Sequence, residues 1–404
     1  MASPFKLPST HALSFSKHYT SPVYPSLPLL CTQHHARFHQ ALKTYHRANR
    51  AQQHLHLPPL LDAITNYLPH LSFLHACLHA GDILPVSSTT HLTPRWSTPL
   101  SLSPLPASHP GLEFELTYTL LTLALTNIHL AAASLPANLK PASNHLLTAA
   151  AILQHAASLP QPPTATWPVD ITPPVLTAIA KLALADATLL FVATQDPYPN
   201  FLLVDTPSDD RAWAYNPRAT PTGVKAGLLA RVCVAAETHA EAARALLKSA
   251  PHVSRGLKQY AKTLGRVGRA KACRFLGINA EVAGGCGEGI GWVLLGMQGL
   301  RAGAGEGTEE MRVCKGLEER WKAENDRVFF QEVVGPGELV GRVPTGREVC
   351  EVPVWECPQL EEAVVRGLRG SVLGGEREEE VETSEEEEEE GTNAGGEGRR
   401  RAYF

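Results

Sequence analysis

Apolar residues recur at intervals of three and four along most of the chain, and alternation of β-branched residues is rare, which predicts a mainly helical fold. The helical period covers about 35–52, 58–80, 114–135, 138–158, 172–194, 223–248, 252–282, 287–302 and 308–327. Proline-rich joints such as LPQPPTATWP (159–168) separate these stretches. Thr172 followed by Pro173 and Pro174 marks a helix start, since proline suits a first turn that has no hydrogen bond to lose. The first forty residues, with proline at 4, 8, 22, 25 and 28, read instead as an extended or short-strand lead-in. The connection over 195–222 is long for a compact domain and marks a functional or mobile loop.

After Val328 the texture changes to short β-like pieces and turns, VFFQEVVGPGELVGRVPTGREVCEVPVWE, which predicts an extended arm lying on the helical body. From about Gly370 the chain is Glu- and Gly-rich, has little to bury, and is expected to be disordered. The expected organisation is therefore one domain over 1–360, including the arm at 328–360, and an acidic tail over 361–404. Within the tail, Thr383 and Ser384 beside a Glu run fit an acidophilic kinase, although a merely solubilising tail is the better reading. The segment LTYTLLTLALTNIHLAAASL (116–135) is as long as a bilayer is thick, but its polar positions, Asn127 and His129 among them, favour a buried bundle helix.

Charge changes this picture little. The formal net charge is −4, of which residues 376–390 carry −10 and residues 391–404 carry +2, leaving a mildly basic +4 on residues 1–375. That excess, without an aromatic-rich basic sheet pattern, points away from nucleic acid. The eight cysteines lack any CxxC spacing and read as reduced, mostly buried thiols, and no secretory h-region opens the chain, so a cytoplasmic location is expected.

The motifs that could carry chemistry mostly fail on spacing. GGCGEGIGW (284–292) has no Lys for a phosphate loop and follows a helical segment, so it reads as a turn between helices with Gly284 or Gly285 as a left-handed cap. His35 with His39, and His75 with His79, each offer two ligands on one helical face, but neither pair has the Glu of HExxH, and no third ligand can be placed. No GxSxG elbow is present. No catalytic residue, metal site or cofactor is therefore expected. Lys258, Lys262, Arg266 and Arg269 lie on one face of a helix, extended by Lys271 and Arg274, and make a candidate contact for anionic lipid or an acidic partner. Leu189, Leu228 and Val232, on neighbouring helices, are either core or an exposed groove for an amphipathic helix.

Several stretches together resemble the Bro domain, the helical module of ESCRT-associated adaptor proteins. They are FELTYTLLTLALTNIHLAAASL, LKPASNHLLTAAAILQHAASL, LTAIAKLALADATLLFVAT and KACRFLGINAEVAGGCGEGIGWVLLG. PFKLPSTHALSFSKHYTSPVYPSLP, DPYP (196–199), TLGRVGRAKACRFLGINA, NDRVFFQEVV and VPTGREV resemble the branch of that family that works in fungal ambient-pH signalling. The resemblance runs collinearly over about residues 4–355. It implies an elongated Bro domain of tetratricopeptide-like helical hairpins with a small N-terminal β-sheet and no enzymatic activity. It also implies that an exposed patch at Leu189, Leu228 and Val232 receives the C-terminal amphipathic helix of the core ESCRT-III filament subunit. Other pH-signalling components would then assemble at the plasma membrane or endosomes, leading to proteolytic activation of an alkaline-response transcription factor. At the first patch position many relatives carry Phe where this chain has Leu189. A cysteine hydrolase of the same pathway and a general endosomal-sorting scaffold are the competing readings.

Overall fold

The computed structural model describes residues 5–369 apart from 88–90, 104, 136–137, 161–166, 205–220, 222 and 303–307. Ten helices supply most of it: α1 (Leu27–Arg47), α2 (Leu57–Ala80), α3 (Leu112–Ser134), α4 (Leu139–Ser158), α5 (Pro173–Gln195), α6 (Tyr198–Val204), α7 (Ala226–Ser249), α8 (Arg255–Val282), α9 (Cys286–Arg301) and α10 (Glu309–Glu324). A single turn, α11 (Pro336–Leu339), and α12 (Glu362–Leu368) follow in the arm. Apart from the short α6, each long helix packs on the next, α1 on α2 through to α9 on α10, so the core runs along a stack of hairpins. Two short antiparallel ladders, β1 (Tyr19–Thr20) with β2 (Leu84–Pro85) and β3 (Arg95–Trp96) with β4 (Ala107–Ser108), are the small sheet element expected near the N-terminus.

The helices start and stop near the predicted positions, with one clear exception. α1 begins at Leu27, not near 35, because Pro28 stands in its first turn, where a missing N–H leaves nothing unpaired. Residues 328–360 form no strand; after a π-helical turn that ends at Phe329 they run as an extended arm broken by α11 and a 3-10 turn at Val340–Arg342. Beyond the boundary expected at 360 lies α12, whose Leu368 is buried. The acidic run, with Thr383 and Ser384, lies outside the described residues.

Two helices, α3 and α5, are long and apolar enough to cross a membrane, and both are mostly enclosed by their neighbours. α3 shows how a buried helix carries polar residues. The hydroxyls of Thr117, Thr119, Thr122 and Thr126 each donate to the carbonyl four residues back at 2.7–2.8 Å. Asn127 donates to the Leu123 carbonyl and pairs with His145 of α4 at 2.9 Å.

Around α3 an aromatic layer closes the N-terminal half. Trp96 lies flat on Tyr118 with ring centroids 5.2 Å apart, and Phe38 stacks on Tyr67.

Glycines set the packing of the C-terminal half. Gly284 adopts φ +87° at the turn between α8 and α9, the left-handed cap read from the sequence. A Cβ on Gly289 would come within 3.0 Å of the Gly277 carbonyl, and one on Gly277 within 2.8 Å of the Gly289 carbonyl, so the pair lets α8 and α9 approach closely. The helix-propensity penalty of about 1 kcal/mol for glycine in α9 is offset by that packing.

Candidate partner-binding groove

The predicted apolar patch does not stand open. Leu189 is 2% exposed and Val232 fully buried, and Leu228 is half-buried against the same core. The reason is that α5 has α4 on one side and α7 on the other, so the seam holding Leu189 and Val232 is interior. Apolar residues one turn apart look alike whether they face a neighbouring helix or solvent. The exposed apolar side chain of α5 is Phe191, two residues on and 38% exposed.

Phe191 lies on a row with Leu184 and Thr188, at helical spacings of three and four. On α7 the corresponding row is Leu228, Arg231 and Ala235. The arm crosses both. Arg347 donates its backbone N–H to the Arg231 carbonyl at 3.0 Å, and the Arg231 guanidinium returns a bond to the Thr345 carbonyl. Gly346 sits so close to Ala235 that a Cβ would meet the Ala235 nitrogen at 2.9 Å. Farther along, the Cys350 thiol bonds Thr188 of α5, Trp355 packs edge-on against His155 of α4, and Cys357 bonds Ser72 of α2. The arm thus runs along the rows of α5 and α7 on which Phe191 is left exposed and Leu228 half-buried.

The first part of the long connection leaves this face. α6 turns toward α10, with Phe201 under the Arg320 guanidinium and Leu202 against Gly316. Its start is held by a buried network in which Arg274 of α8 bonds Asp196 and Glu310, and Lys271 bonds Glu310 at 2.8 Å. Most of the rest of the connection, 205–220, lies outside the described residues.

No family model matches the chain. It is 31% identical to the pH-response regulator protein palC of Emericella nidulans, over 92% of each sequence. The chain belongs to the palC family. Its fold is that of Bro1 domains: a structure describing endosomal targeting by the Bro1 domain matches with a TM-score of 0.57 at 16% identity, covering 91% of this chain and 95% of that one. The Bro1 domain of ALIX, in a complex with CHMP4C, matches equally well, with 14% identity and coverage of 90% and 96%.

In this palC-family chain the basic row is neutralised in part from inside. Arg274 is fully buried and Lys271 is 17% exposed, so neither extends a positive surface. Arg269 pairs with Glu237 of α7 at 3.2 Å, and Glu241 lies beside Gly265 on the same side. Lys258, Lys262 and Arg266 remain half-buried on α8. A helical period places charges on one face but does not reveal which of them meet acids on the next helix.

The palC-family chain offers a hydrolase little to work with among its described residues. All eight thiols are free, and burial pushes every one upward, Cys77 and Cys286 to about 11 and Cys233 and Cys273 to about 12. A nucleophilic thiol needs the opposite shift. Three buried carboxyls, Glu115, Asp170 and Asp186, are pushed up by burial to about 7. Glu115 accepts from the Trp96 indole at 2.7 Å and the Tyr67 hydroxyl at 3.1 Å, in a cluster closed to solvent. Asp186 accepts from the Tyr260 hydroxyl beside a cavity of about 60 Å³, room for a couple of waters and no substrate.

The two histidine pairs meet different fates. His35 is buried 3.6 Å from Glu115, and burial, then His39, pushes its imidazole down to about 3, so it is neutral. His75 and His79 instead meet Glu113, from the first turn of α3: His75 Nε2 and His79 Nε2 both lie 3.5 Å from Glu113 Oε1. A hydrogen bond from His75 holds the Glu113 carboxyl down at about 2. The third partner that sequence spacing did not supply comes from the next helix.

Proposed function

We propose that this chain is a non-enzymatic adaptor of pH signalling that binds the C-terminal amphipathic helix of the core ESCRT-III filament subunit. The family is that of a pH-response regulator, and a Bro1 domain of the same fold, that of ALIX, forms a complex with CHMP4C, an ESCRT-III subunit. The observation that carries the reading is Phe191, a large aromatic left 38% exposed on α5, the helix that packs on α7 with its half-buried Leu228. An apolar strip between two packed helices suits a helix that lays one face down. Burying a few Leu or Met side chains at roughly 1.5–3 kcal/mol each, less the association penalty, gives micromolar binding. The aromatic that relatives carry at the first patch position is provided here by Phe191, with Leu189 beneath it as core.

Recruitment to the plasma membrane or endosomes follows through the partner, since Glu237 and buried Glu310 already occupy part of the basic row. The adaptor in turn supports assembly of the complex that proteolytically activates the transcription factor. The raised thiols favour this reading over a cysteine hydrolase.

Binding of the full chain to a peptide of that C-terminal helix, followed by fluorescence anisotropy, tests it. Phe191→Asp and Leu228→Asp should each weaken binding at least roughly tenfold while leaving the far-ultraviolet circular dichroism unchanged, because removing one buried anchor loses about 1.4 kcal/mol or more. Unchanged affinity in both variants would discard this groove, and an absence of wild-type binding would discard the reading.

A further inference from the structure

We propose that His75, His79 and Glu113 form a binding site for a divalent transition cation, zinc foremost, that clips the end of α2 to the start of α3. The ligand atoms are already placed for one. His75 Nε2, His79 Nε2 and Glu113 Oε1 are mutually 3.1, 3.5 and 3.5 Å apart. A tetrahedral ion with bonds of about 2.05 Å holds its ligands about 3.3 Å from one another. Two histidines at i and i+4 on one helix face plus a carboxylate is a donor set of imidazole and oxygen, which suits zinc and other borderline cations better than calcium or magnesium.

The backbone makes room for this arrangement. Gly111 adopts φ +115°, a conformation that favours glycine, and the Glu113 carboxylate lies over it, with Oε2 2.7 Å from where a Cβ would stand. On the other side the α2 helix ends immediately at Gly81, a left-handed cap at φ +82°. The pair and the carboxylate therefore sit at the two mouths of the 81–111 connection, which carries β2, β3 and β4. His79, 64% exposed, leaves the fourth position of the ion open to water on the solvent side. A bound ion would join the two ends of that connection and stabilise the α2–α3 hairpin in proportion to its occupancy.

The test uses the full chain, freed of metal by a chelator and titrated with Co²⁺, which reports tetrahedral coordination by its visible absorption, and then with Zn²⁺ as competitor. One equivalent of Co²⁺ should develop the band, Zn²⁺ should abolish it, and Zn²⁺ should raise the melting temperature. His79→Ala and Glu113→Gln should each weaken Co²⁺ binding at least roughly tenfold, comparable to disturbing a metal's surroundings in other sites. Because the chain holds 18 histidines, His39→Ala serves as control and should bind as the parent does. His79 is mostly in solvent, so its variant keeps the fold whatever becomes of Glu113. No band in the parent, or a band of parental strength in His79→Ala, overturns the proposal.

Discussion

The two halves of the stack handle buried charge in opposite ways. Around α1–α3 the polar groups are kept neutral: Glu115 holds its proton to about pH 7, His35 gives its proton up, and Tyr67 and Trp96 donate to the carboxyl between them. Around α8–α10 they are kept ionised: Arg274 lies fully buried between Asp196 and Glu310. Burial works against the Glu310 charge, but Arg274 and Lys271 overcome it and hold the carboxyl at about 2. Protonation is enough where a carboxyl meets only neutral donors; pairing is needed where a guanidinium, which does not deprotonate, is carried inside. The N-terminal half should therefore answer to pH and the C-terminal half to the loss of a partner.

The largest effect expected from that contrast is in the ionic half. Arg274→Met leaves Asp196 and Glu310 buried with only Lys271 to share, and should destabilise the fold by about 3–5 kcal/mol in chemical denaturation. A loss below about 1 kcal/mol would mean that water reaches the network and that the two halves do not differ. The neutral half should show itself in pH. The folded Glu115 carboxyl releases its proton at about 7, where an ordinary glutamate releases it at about 4.5, so the folded state binds the extra proton in between and stability falls as pH rises through that window. Asp170 and Asp186, raised to about 7 from 3.8, act in the same direction. Each group adds a slope of up to about 1.4 kcal/mol per pH unit, so Glu115→Gln should remove one part of it and Arg274→Met none. Glutamine can still accept from Trp96 and donate to the Tyr67 oxygen, so a loss of fold is not expected. Urea midpoints measured from pH 5 to 8 on parent and variant decide it.

What the sequence reveals follows the range over which its signals act. Helix periods, proline starts and the Gly284 cap are local, and they place eight of the helices within a few residues. The start of α1 is misread because a proline-rich stretch signals both an extended chain and a first turn. Side-chain exposure is not local. Leu189, Leu228 and Val232 carry the same apolar spacing in a core as in a groove, and only the packing of α4, α5 and α7 and the crossing arm show that Phe191 is the side chain left outside. Likewise Glu113 is 34 positions from His79 in sequence, and no spacing rule joins them before α2 and α3 are folded together. The acids that meet the basic row come from α7, from α10 and from Asp196 between α5 and α6, and are invisible in the period of α8.

One long-range signal was present in the sequence in a readable form. Gly287 and Gly291 stand one turn apart on α9, which puts two bare positions on one face. The arm lies there: a Cβ on Gly287 would fall 2.2 Å from the Glu332 carbonyl and one on Gly291 2.3 Å from that of Val334. Gln331 fixes the register, accepting from the Gly287 N–H at 3.0 Å and donating to the Gly284 carbonyl at 2.8 Å, while buried Asn325 bonds its backbone on both sides. The glycine stretch and NDRVFFQEVV are thus two sides of one clasp that starts the arm on its way to Arg231 and Thr188. Gly287→Ala gains helix propensity of about 1 kcal/mol in α9 but forces the arm's backbone outward, so its net effect on global stability should be small, within roughly 1–2 kcal/mol. Its effect on the arm should be far larger: limited proteolysis should cut the 331–345 segment faster than in the parent, and the Phe191 strip should lose its rim. If the variant's arm is cleaved no faster, the contacts at Ala235 and Thr188 hold the arm by themselves, and the glycines of α9 serve only the approach of α8.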